Sequence, residues 1–204
     1  MTRQAARKTA MRRSAIATAV TTAVTTAALV CTAVPGHAAN GYPRTLIAEA
    51  TAASGPNKIT AVVTIKIDRL VEPSRRQRVL DGLKYNGYQG FMDALRPLPV
   101  IGSIATPNGN VKVRYAWETT VENKNRLIVV ADKPLFFLPA ESSPSRAGYQ
   151  LTFVELLFDE SGGATGTMAG AARVKPAPDG IVLDDFAAVP VTLKVAAAGK
   201  PTPR

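Results

Sequence analysis

The only histidine, His37, and the only cysteine, Cys31, both lie within the first 38 of 204 residues. Beyond them, a Ser-His-Asp or Cys-His nucleophile, a disulfide and the usual zinc and haem ligand sets are closed. With His and Cys gone, the acids are the first catalytic candidates there. Asp184-Asp185 is the tightest acid pair. Neighbours on a strand point to opposite faces, so the two are not expected to share a proton or a metal. Glu155 sits between Val154 and Leu156 in a strongly apolar run. On the face of Leu151 and Phe153 it would be buried and need a partner such as an arginine; the expectation is an exposed position or a structural ion pair. Asp159-Glu160-Ser161-Gly162-Gly163 lacks the alternating ligands of a calcium loop and reads as a hairpin turn.

Other chemistries leave no trace past residue 38. No Ser-x-x-Lys occurs, and Gly102-Ser103-Ile104-Ala105 is not a nucleophile elbow. No Gly-rich loop leads into Lys-Ser/Thr to cradle a phosphate, and no cofactor is implied. Two clusters remain as binding candidates. Arg75, Arg76 and Arg78 are the densest basic group and could meet phosphates or anionic headgroups. Trp117, with Tyr115 and Phe153, could line an apolar ligand cavity if the fold leaves one unfilled.

The elements that must hold these residues are mostly strands. Ile59-Ala61-Val63-Ile65-Ile67 alternates with Thr60, Thr64, Lys66 and Asp68, which predicts a strand with one buried face. Val111-Val113-Tyr115-Trp117 alternates with Lys112, Arg114 and Glu118. Tyr149-Leu151-Phe153 and Val189-Val191-Leu193-Val195 repeat the pattern, and Arg126 to Ala131 is a nearly continuous apolar run. Short polar turns at Ser54–Asn57, Pro107–Asn110, Glu122–Asn125 and Asp159–Gly163 predict antiparallel hairpins. Ser74-Arg75-Arg76-Gln77 matches a helix capping box. Val79, Leu80 and Leu83, then Phe91, Met92 and Leu95, give two short helical stripes interrupted at Asn86-Gly87. The expected fold is mainly β (α+β): eight to ten strands in an antiparallel meander, curled as a barrel or sandwich, with a helical pair inserted near residues 74–96. Residues 174–180 read as a surface loop.

Residues 1–13 carry five basic residues and no acid. An uncharged stretch from Ser14 to Val34 follows, then Pro35-Gly36 and the small pair Ala38-Ala39. That order predicts a signal peptide over 1–38, cleaved after Ala38, and hence a periplasmic or extracellular protein. The remainder is expected to be one β-rich domain over 39–195 with a disordered tail over 196–204. The formal charge of the whole chain is +10, but the five charged residues of the expected signal are all basic, leaving twenty basic and fifteen acidic residues after cleavage. A charge of +5 does not indicate a nucleic-acid partner.

Three further stretches carry a resemblance. They are Tyr88-Gln89-Gly90-Phe91-Met92-Asp93-Ala94-Leu95 through Leu98-Pro99, Gly102-Ser103-Ile104-Ala105-Thr106-Pro107, and Val113-Arg114-Tyr115-Ala116. With Asp132-Lys133-Pro134 and Thr152-Phe153-Val154-Glu155-Leu156, they resemble a group of small secreted bacterial proteins without assigned function. The resemblance covers much of residues 58–160 and implies a shared fold and export, with no activity attached. The leading expectation is a non-enzymatic binding or interaction module for an apolar small molecule or an envelope component. The alternatives are a carboxylate hydrolase using Glu155 with Asp184 or Asp185, and a surface protein docking to anionic lipid or polymer, hence a membrane-surface contact, through Arg75, Arg76 and Arg78.

Overall fold

Turn-bounded alternating runs bury one face only by curling, and here they close on themselves. The computed structural model describes residues 41–54, 57–137 and 147–197. The expected signal peptide, its cleavage site and the tail from residue 198 lie outside the described residues. In chain order the elements are β1 (Arg44–Ser54), β2 (Asn57–Ile67), α1 (Pro73–Leu95), β3 (Gly102–Thr106), β4 (Gly109–Val121), β5 (Lys124–Ala131), β6 (Leu151–Phe158), β7 (Ala164–Ala177), β8 (Gly180–Phe186) and β9 (Val191–Val195). Strands β1 to β7 pair in sequence order, except that β7 closes the ring through β9 back to β1. Every pairing is antiparallel. The result is an eight-stranded closed barrel with one inserted helix, which leaves no unpaired edge in its wall. β8 stands outside that ring and pairs only with the far half of β7.

Register assigns the faces. Leu46, Ala48 and Ala50 of β1 oppose Ile65, Val63 and Ala61 of β2, and Ala50 opposes Leu193 of β9. Around the ring the same inner set continues through Ile104, Val113, Ala116, Leu127, Val129, Val154, Leu156 and Met168. All of these except the half-buried Ala61 are between 0 and 5% exposed. The interior is therefore a packed core of aliphatic side chains and alanines. On β1, β2 and β9 the outward residues face solvent, including a cross-strand row of threonines, Thr60, Thr51, Thr192 and Thr167. On β5, by contrast, Arg126 to Ala131 is buried on both faces. The continuous apolar run in the sequence reflects that double burial.

A bulge in β4 changes which residues share a face. Val113 opposes Ala131, but Tyr115 opposes Val130, so Arg114 is an extra residue. Before it, Val111 and Val113 point inward. After it, Ala116 and Glu118 point inward, and Tyr115 and Trp117 point outward. Strict alternation placed Tyr115 and Trp117 with Val111 and Val113 and put Glu118 on the other face; the bulge inverts that.

The insertion is a helical pair, as the interrupted stripes imply. Gly87, at φ 64° and ψ −156°, breaks α1 into two arms. A Cβ on Gly82 would lie 2.6 Å from the Gly90 carbonyl oxygen, so the arms pack backbone to backbone. The expected capping box does not form. The N-cap lies two residues earlier, at Glu72, which makes no side-chain cap bond, with Pro73 in the first turn. Gln77 donates to Asp81 Oδ1 at 2.9 Å instead. Val79, Leu83, Phe91, Met92 and Leu95 are the buried stripe.

Residues 174–180 are not a surface loop. β7 runs on through Val174 and Pro176, which oppose Leu183 and Ile181 of β8. Pro176 is tolerated because this stretch of β7 has left the barrel wall, where β6 pairing ends at Ala172. The hairpin arm so formed lies back over the outside of the barrel. Its tip residues Asp179 and Ile181 both reach Arg126, which sits opposite Leu157 on β5. At the other end, Leu135 N donates to Gly170 O at 2.8 Å and Ala187 N to Ala171 O at 2.8 Å, fixing the root of the arm.

Candidate functional site

The barrel end where β4 meets β5 and β6 meets β7 keeps the only inward carboxylate among the described barrel positions traced above, Glu118. Its side chain is 11% exposed. Tyr42, just before β1, donates its hydroxyl to Glu118 Oε1 at 2.7 Å, and Arg44 Nη1 lies 3.5 Å from the same oxygen. Arg44 also stacks on Phe158, with its guanidinium 4.2 Å from the ring centroid. Burial first, and then the hydrogen bond to Glu118, push the Tyr42 phenol well above its usual pKa. The buried charge is thus met by a cation and a donor, as a low-dielectric position requires.

Two adjoining clefts open on this mouth. One, of about 350 Å³, is lined by Arg44, Glu118, Asn125, Phe158, Glu160 and Gly162 among others. The other, of about 600 Å³, adds Glu122, Asn123, Lys124 and Ser161. They share Asn125, Phe158, Asp159 and Glu160. Asp159 is occupied by its own turn. Its Oδ1 accepts from Ser161 N at 2.9 Å, Ser161 Oγ at 2.6 Å and Gly163 N at 2.9 Å. The Ser161 hydroxyl, and then the turn's amides, hold its carboxyl below the usual range. The sequence reading of 159–163 as a hairpin turn is what the hydrogen bonds describe.

A second polar cluster lies on the outer wall beneath the arm. Arg126 is 4% exposed. Its Nε is 2.6 Å from Glu155 Oε1, its Nη1 pairs with Asp179 Oδ2, and its Nη2 donates to Ile181 O at 3.2 Å. Glu155 does share the face of Phe153, and it has the arginine partner that this position requires. Nearby, Arg76 from α1 stacks on Trp117 at 4.5 Å and donates to Asp179 O at 3.4 Å.

The sequence candidates are therefore redistributed. Tyr115, Trp117 and Phe153 come to one face, since Tyr115 and Phe153 both flank Val130. That face is the barrel exterior under α1 and the arm, where Tyr115 and Phe153 are fully buried. The arginine cluster is split. Arg76 turns inward to Trp117, Arg75 pairs with Glu72 at 3.0 Å, and Arg78 remains exposed. Asp184 faces Arg173 and Lys175 at 3.6 and 3.4 Å, whereas Asp185 accepts from Tyr149. The adjacent acids serve separate partners. Tyr42, Arg44, Glu118 and Asn125 had no signal in the sequence, because only ring closure brings them together. No protein-family model, curated protein or solved structure matches the chain.

Proposed function

We propose that this chain is an exported, non-enzymatic binding module that takes a polar envelope component at the barrel mouth. The carrying observation is the contrast between a packed interior and an open mouth. The inner side chains leave no space for an apolar guest, whereas the mouth offers two adjoining clefts walled by charged and amide groups. Asn123, Asn125, Lys124, Ser161 and Glu160 supply donors and acceptors, and Phe158 supplies an apolar edge. That mixture suits a hydroxyl-rich glycan segment better than a hydrocarbon. The Tyr42–Glu118–Arg44 contacts hold the floor of the cleft in place before any ligand arrives.

The test is an amide chemical-shift titration of the mature protein with soluble amino-sugar oligosaccharides of bacterial envelopes. Saturable shifts confined to residues 41–44, 118–125 and 158–163, lost in an Asn125→Ala/Glu160→Ala variant, are expected. A stoichiometric apolar companion released from the natively purified protein would overturn the reading and restore a carrier. So would the absence of saturable shifts at the mouth.

A further inference from the structure

We propose that Asp179 is a tethered stand-in for an external carboxylate or phosphate, occupying an anion site built on the barrel's outer wall. This site is separate from the mouth and does not depend on the reading given above. Two arginines from two elements reach it, with aromatic residues of β4 beside them. Arg126 from β5 is buried and gives one guanidinium nitrogen to the Asp179 carboxylate and another to Ile181 O. Arg76 from α1 donates to the Asp179 carbonyl and lies over the Trp117 ring of β4. Tyr115, also from β4, is fully buried, and its hydroxyl lies beside the Arg76 guanidinium without a well-formed hydrogen bond. A buried polar group that is only loosely satisfied is costly. None of the ion pairs among the described residues involves Arg76. One acid competes at the site: Glu155, held at 2.6 Å by Arg126 Nε. It leaves the remaining guanidinium edge of Arg126 to Asp179.

The element that delivers Asp179 is suited to withdraw it. Beyond Ala172 the arm pairs only with itself, and Val174 and Ile181 are its fully buried apolar anchors past the bend. Its root is a bulged segment at Gly170–Ala172 and a non-strand one at Ala187–Pro190, joined by the Ala187 N to Ala171 O bond. An external anion that displaces Asp179 would meet two guanidinium groups, one of them seated on the Trp117 ring. A planar carboxylate or phosphate carrying an apolar portion matches that set.

Trp117 is the only tryptophan of the chain, so its fluorescence reads this site alone. The probes are acetate and inorganic phosphate, titrated against chloride at matched ionic strength. In Asp179→Ala, a saturable change in Trp117 emission is expected with at least one of the two, and not with chloride. In the wild type the half-point should lie about tenfold or more higher, because a tethered group competes at millimolar effective concentration. Asp179→Asn, which keeps the shape of the tip, should behave as the alanine variant does, and Arg126→Lys in the Asp179→Ala background should lose the response. Hydrogen exchange of the unaltered protein adds a readout that needs no variant. Amides of residues 174–183 should exchange well ahead of Val129 and Val154 in the barrel. A folded Asp179→Ala or Asp179→Asn protein with no saturable response, or arm amides as protected as the barrel's, would overturn the proposal.

Discussion

The hydroxyl of Tyr42 donates to Glu118 Oε1 at 2.7 Å and so joins the lead-in to β1 to the inner face of β4, 76 residues away. Arg44 also lies 3.5 Å from Glu118 Oε1. A hydrogen bond to a buried charged acceptor contributes about 1.5–3 kcal/mol. Tyr42→Phe should therefore lower the unfolding free energy by that amount, with the same denaturant slope as the wild type. Urea unfolding followed by circular dichroism checks this. A loss below about 0.5 kcal/mol would mean that solvent already reaches Glu118.

Alkaline solution should destabilise the fold over a defined range. The phenols of Tyr42, Tyr88 and Tyr115 are all raised above 10.0, each chiefly by burial, and Tyr115 reaches about 12. The folded protein then holds these protons more tightly than the unfolded chain. Stability is intact below about pH 10 and falls as pH climbs through the folded values. Tyr115→Phe should flatten part of that limb. At neutral pH the same variant should cost little, because the hydroxyl it removes makes no well-formed hydrogen bond. Unfolding free energies between pH 8 and 12, read with phenolate absorbance, separate the two effects. A steep loss at neutral pH would contradict the geometry around Tyr115.

Arg126 should be the costliest polar residue to remove. It is almost wholly buried, and two carboxylates and a carbonyl converge on it. Arg126→Ala is expected to lose about 3–5 kcal/mol, since breaking a buried pair strands its partners. Asp179→Asn alone should cost less, because its side chain is 32% exposed. A double-mutant cycle between the two positions should give a coupling of about 1–3 kcal/mol. Additive losses would show that the carboxylate does not latch the arm.

The strands, the turns and the helical pair were legible because each leaves a local pattern: period two, a polar turn, or a helical stripe. The barrel mouth was not. Tyr42 with Arg44, Glu118 and Phe158 sit on three separate segments, and ring closure makes them neighbours. The side of the sheet taken by Trp117 was misread for a different reason. One extra residue, Arg114, reverses the phase of β4, and nothing in Val113-Arg114-Tyr115-Ala116 announces it. The arm was missed because Lys175-Pro176-Ala177-Pro178 carries loop punctuation. Proline at 176 costs nothing where the strand has already left the barrel wall.

The root of that arm makes the last prediction. A Cβ on Gly170 would fall 2.0 Å from the Leu135 carbonyl oxygen, where the Leu135 amide also donates back to Gly170 O at 2.8 Å. Gly170→Ala must push the two backbones apart, losing that bond and overpacking the bend. The expected cost is about 2–4 kcal/mol. Gly109→Ala is the control, because its Cβ would meet Leu135 Cδ1 at 3.4 Å, the end of a side chain that can adjust. It should stay within about 1 kcal/mol of the wild type. Thermal and urea unfolding of both variants, with hydrogen exchange at residues 174–183, decide the matter. Equal stability for the two would mean that the root of the arm yields freely. A large loss for Gly170→Ala with exchange raised first in the arm would place the close approach at the point from which the hairpin folds back.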